Sequence, residues 1–123
     1  MTPYTTDQKS YRKMIFAAMA KENFFSREYI MKYILQQGYT PSSAFMMFSY
    51  FLLDTVERQA LICANNELIR RSDELWVFGR ISDGVAEEIK VALIEKLPIK
   101  YFKFDANVRI FQEITENDAL MLA

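Results

Sequence analysis

Chemistry in this chain falls to carboxylates, hydroxyls and cations, because histidine is absent and Cys63 is the one cysteine among 123 residues. Without histidine there is no ordinary general base, no catalytic triad and no imidazole metal ligand. One cysteine excludes an intramolecular disulfide framework and a multi-cysteine metal site. No Asp or Glu group has metal-loop spacing, and the 3 glycines form no phosphate-cradling run. The inventory predicts a protein that is not an enzyme and needs no cofactor or metal. The remaining candidates bind rather than react. Arg70 and Arg71 form a cationic pair able to hold phosphates, with Asp73 and Glu74 as alternative ion-pair partners. Arg12, Lys13 and Arg27 could serve the same purpose, or belong to solvated helix faces. Glu87, Glu88 and Glu95 alternate with Lys90 and Lys96, the mixture typical of a solvated face.

The elements that must position these residues follow from period and punctuation. Thr5 and Gln8 have the form of a capping box, so a first helix is expected from near Thr6 until the Asn23-Phe24-Phe25 stretch ends it, with Tyr11, Met14, Ile15, Ala18 and Met19 on one face. Ser26 is placed to cap a second helix carrying Ile30, Tyr33 and Ile34, which Gly38 ends. Thr40-Pro41 opens a third helix through Phe45, Phe48, Leu52 and Val56, to about Ala60. The runs Glu67 to Arg71 and Glu74 to Phe78 flank Ser72-Asp73 as a hairpin, with Trp76 a core anchor whose indole N–H needs an acceptor. Ser82-Asp83-Gly84 introduces a fourth helix, Val85 to Leu97, with Val85, Ile89, Ala92 and Leu93 inward. A second hairpin joins Ile99–Phe104 to Val108–Ile114, and Thr115 begins a short helical turn.

A 51% hydrophobic, 25% charged chain of this length forms one domain, residues 1–123. The longest apolar stretch, Ala44 to Leu53, has half the length needed to span a bilayer, so no membrane is expected and the cytoplasm is the natural location. Cys63 is expected to be a small buried residue.

Helix, helix, helix, hairpin is the order of the winged helix-turn-helix, and residues 7–81 resemble that superfamily. Ser26-Arg27-Glu28 is similar to the start of its second helix. Gly38-Tyr39-Thr40-Pro41-Ser42-Ser43 looks like the turn into its recognition helix, and Glu67–Arg71 with Leu75–Gly79 look like its wing. The implied fold is α+β, a winged helix with a C-terminal helix and hairpin added by residues 82–123. The resemblance implies a small DNA-binding transcriptional regulator, a homodimer on double-stranded DNA. Ser42, Ser43, Met46, Ser49 and Tyr50 would enter the groove, while Arg12, Lys13, Arg27, Arg70 and Arg71 would hold phosphates.

Charge and the third helix open an alternative. Residues 1–81 carry a net +2 and residues 82–123 a net −3, and the pI is 5.5. A DNA-binding face is expected to be strongly basic. Met46, Tyr50 and Leu53 form an apolar ridge with no side chain able to read bases bidentately. A protein-interaction module that contacts another regulatory protein or a second copy through this ridge fits those features.

Overall fold

The computed structural model describes residues 12–105, 107–108 and 110–122; the side chain of Tyr50 and the proposed capping box at Thr5 lie outside the described set. Helices and a five-stranded sheet alternate, so the chain is α+β in the broad sense. Strand β1 is Met14–Met19, followed by a 3-10 turn, Lys21–Ser26, and helix α1, Arg27–Gln36. Strand β2, Thr40–Ser42, leads into two short helices, α2 (Ala44–Met47) and α3 (Tyr50–Thr55), and then α4, Arg58–Arg70. Strand β3 (Glu74–Phe78), helix α5 (Asp83–Ile94), strands β4 (Ile99–Asp105) and β5 (Ile110–Ile114), and helix α6 (Glu116–Leu120) complete it.

The sheet order is β2-β1-β3-β4-β5, with the first four strands parallel and β5 antiparallel to β4. This is a strand–helix alternation around a central sheet, a different order from three helices and a wing. The differences have local causes. Met14–Met19 is a strand because a central parallel strand is buried on both faces and reads as an unbroken apolar run. Such a run, MIFAAM, satisfies helical spacing equally well. Ile15, Ala17 and Met19 face one core, and Phe16 and Ala18 the other.

The expected third helix is divided. Thr40–Ser42 pairs with β1 along one side only, and an edge strand tolerates Pro41, which has no N–H to donate. The chain is then extended at Phe48 and Ser49, and again at Val56 and Glu57, which separates α2, α3 and α4. Glu67 to Arg71 is not a strand: Glu67–Arg70 is the last turn of α4, whose inward stripe runs through Leu61, Asn65, Leu68 and Ile69, and Arg71 is its C-cap. Glu74–Phe78 is a strand as expected, but it pairs in parallel with β1 and β4. Cys63 lies exposed on α4 rather than buried.

Other expectations hold. Ile30 and Ile34 of α1 are fully buried, and Gly38 takes a φ of +93° beyond its end, although Ser26 makes no side-chain capping bond. Helix α5 starts where Ser82 Oγ accepts from the Val85 N–H, while Leu93 turns outward at 62% exposure. The β4–β5 hairpin and the Thr115-capped α6 follow the expected pattern. Trp76 donates to Glu74 Oε1 at 2.9 Å, the acceptor its buried indole requires.

Helix α1 covers one sheet face, packing Ile30, Met31 and Ile34 on Ile15, Trp76, Phe78 and Phe102. Helices α4, α5 and α6 cover the other through Ile69, Val85, Ala92 and Ala119, against Phe16, Leu75, Val77 and Tyr101. The connections from β1 and β3 therefore leave in opposite directions. In a sheet wound this way, a crevice opens outside the carboxyl ends of the two strands where the winding reverses.

Candidate functional site

A crevice of about 890 Å³ opens at that place, a volume suited to a small organic ligand. Met19 and Lys21 bring to it the carboxyl end of β1, Ser43 and Ala44 that of β2, and Arg80, Ser82 and Gly84 the chain leaving β3. Phe45, Phe48 and Leu53 from α2–α3 form one wall. Leu61, Ile62 and Asn65 from α4 face Val85, Glu88 and Val91 from α5.

Two polar side chains occupy otherwise apolar helix stripes. On α5, residues 85, 88 and 92 fall on one face, and Glu88 is the carboxylate between buried Val85 and Ala92. On α4, Asn65 lies between Leu61 and Ile69 in the same manner. The two meet: Asn65 Nδ2 donates to Glu88 Oε2 at 2.7 Å. Burial pushes the Glu88 carboxyl up from 4.5 to about 7, against the opposing effect of the Asn65 bond. Asn65 Oδ1 is buried with no hydrogen-bond partner, as is Ser42 Oγ at the end of β2. Buried polar atoms normally find partners, so the unpaired amide oxygen beside the Glu88 carboxyl is an exception to ordinary packing at this place.

The crevice has cations on its lining. Arg80 makes a bidentate pair with Glu22, at 2.7 and 2.9 Å, which lowers the Glu22 carboxyl to about 2. Gly79 turns the chain between β3 and Arg80 with a φ of +82°, and an added Cβ would stand 2.8 Å from Asn23 Nδ2. That amide donates to Phe78 O at 3.3 Å and secures the end of β3. Among the described residues no three His, Cys, Asp or Glu side chains are grouped to hold a metal ion. No described helix is long and apolar enough to cross a membrane.

Of the residues expected to meet phosphates, bases or a partner, Ser43 and Leu53 line the crevice, and the others are spread elsewhere. Arg12, Lys13, Arg70 and Arg71 belong to the amino ends of β1 and β3, opposite the crevice. Arg12 donates to the carbonyls of Leu35 and Tyr39, at 3.4 and 2.9 Å. Lys13 pairs with buried Glu74 at 3.2 Å, Arg70 with Glu67 and Glu95, and Arg71 with Glu67. Arg27, at the start of α1, donates to Phe24 O and covers the Phe24 ring. Ser43 is buried and caps α2, its Oγ accepting from the Phe45 N–H at 3.2 Å, while Ser49 precedes α3 without a side-chain capping bond. Met46 and Leu53 are about half exposed, at 47% and 52%.

Glu88 and Asn65 were legible only as interruptions of two apolar stripes; composition alone places Glu88 on a solvated face. Lys21, Arg58 and Arg80 carry no local signal, since their shared crevice exists only once β1, β3 and α4 are assembled. Among curated proteins none matches this sequence. A family model described as a domain of unknown function (DUF7768) matches residues 11–102, a span that contains every crevice residue named above, and the chain belongs to that family.

Proposed function

We propose that the protein binds a small organic ligand in the crevice at the carboxyl ends of β1 and β3, with Glu88 as its acid–base group. The observation that carries this reading is the recessed Glu88 carboxyl, held by Asn65 and poised near neutrality inside the crevice. A carboxyl whose pKa lies near working pH can both give and accept a proton, which suits general acid–base chemistry. The chain has no histidine, and Glu88 is a crevice carboxyl whose pKa is moved toward neutrality. The cations expected to hold DNA phosphates are instead engaged by Glu67, Glu74, Glu95 and backbone carbonyls. A ligand crevice therefore accounts for more of the geometry than a DNA face does.

The test is a fragment library screened against ¹⁵N-labelled protein by amide chemical-shift mapping. Hits should perturb Lys21, Asn65, Gly84 and Glu88 together, and Leu61→Trp, which fills the α4 wall, should abolish those shifts while leaving a folded spectrum. Hits confined to other surfaces would remove the reading.

A second reading has its own observation. Met46, Met47, Phe51 and Leu53 on α2–α3 are 47–71% exposed, an apolar surface of the kind partners cover. In that reading the surface docks a second copy of the chain. Light scattering should then give the mass of two chains, reduced to one by Met46→Glu; one chain's mass for the unaltered protein would eliminate it.

A further inference from the structure

The ligand's charge can be inferred from which crevice ions are already satisfied, an argument that rests on the small-molecule reading above. Arg80 is neutralised by its bidentate bond to Glu22, and Glu87 by Lys90 at 3.0 Å. Lys21, at the end of β1, and Arg58, the first residue of α4, have no ion pair or side-chain hydrogen bond among the described residues. Both are exposed and both line the crevice. The crevice thus holds two cations without an ion-pair partner among the described residues, and their local positive field, in a chain whose net charge is −1. Its apolar walls, Phe45, Phe48, Leu61 and Val91, would lower the local dielectric and strengthen that field.

We propose that the crevice is selective for an organic anion, whose apolar body lies against Phe45, Phe48 and Leu61 and whose phosphoryl or carboxylate group is held by Lys21 and Arg58. An anionic head satisfies both cations with charge-assisted hydrogen bonds, which a neutral ligand of the same shape cannot do. Glu88, bonded to Asn65, lines the same crevice and offers a polar contact to the body of the ligand.

Phenyl phosphate, phenylacetate and phenol, titrated into ¹⁵N-labelled protein at constant ionic strength, test this. The expected result is that one or both anions perturb the amides of Lys21, Arg58 and Gly84 and bind at least about tenfold more tightly than phenol. Whichever anion is favoured identifies the head group as phosphoryl or carboxylate. In the Lys21→Met, Arg58→Met double variant the preference over phenol should fall to less than about twofold, with the rest of the spectrum unchanged. Equal binding of phenol and the anions at those amides would overturn the charge assignment and leave the crevice standing. A preference that survives the double variant would overturn the assignment to these two cations. Absence of crevice shifts with all three probes would overturn the proposal, and fragment hits there would show whether the small-molecule reading survives it.

Discussion

Glu88 sits on α5 where the helix's own periodicity assigns an inward side chain, and its environment follows from that position. Burial penalises the charged form and raises the pKa to about 7, whereas an unfolded chain ionises this group near 4.5. Between those values the unfolded state releases the proton and the folded state keeps it. Stability is therefore lost as pH rises from about 4.5 to about 7, by on the order of 3 kcal/mol, and changes no further above. Glu88→Gln should flatten that slope and raise stability at pH 8, measured by urea unfolding across pH. An unchanged slope would place the carboxyl in water. Glu22 runs the other way: its pKa is lowered by Arg80, so that contribution is present above about 4.5 and lost as pH falls toward 2. Gly79 adds a backbone requirement. Gly79→Ala forces an L-residue into positive φ and displaces Asn23, a loss of about 1–3 kcal/mol readable as a lowered urea midpoint.

The elements differ in how firmly they are held. Strands β1 and β3 are hydrogen-bonded on both sides and buried, with Phe16, Leu75, Val77 and Phe78 fully enclosed. Helices α2 and α3 are short, separated by extended residues, and expose Met47 and Phe51 at 56% and 71%. Native-state hydrogen exchange should therefore protect the amides of β1 and β3 to near the global unfolding free energy, and release those of 44–55 orders of magnitude sooner. Equal protection in both would contradict this hierarchy. The same contrast explains what could be read from the sequence. Elements with an exposed face and clear punctuation were legible: α1 before Gly38, α5 after Ser82, and the β4–β5 hairpin. Elements buried on both faces were not, because MIFAAM contains no polar alternation to distinguish a strand from a helix. The 58–71 stretch misled for another reason: Glu67 to Arg71 mixes apolar and charged residues much as a strand would. Its membership in a longer helix depended on Leu61 and Asn65 upstream.

At the scale of the whole molecule, the reversal of winding between β1 and β3 creates the crevice, and no single segment of sequence contains it. The charges divide accordingly. Arg12, Lys13, Arg70 and Arg71, at the amino ends of the strands, have partners within the fold, while Lys21 and Arg58 remain available at the carboxyl ends. Four of the cations expected to bind phosphates thus lie at the structurally engaged end, whereas Ser43 lines the crevice at the other. The central claim is that the carboxyl-end crevice, with Glu88 and Asn65 in it, is where this protein meets a small molecule. The most direct measurement is a crystal structure of the chain soaked with the tightest fragment found by shift mapping. The fragment should lie in the crevice, within hydrogen-bond distance of Glu88. A fragment bound elsewhere, with the Glu88–Asn65 pair untouched, would contradict it.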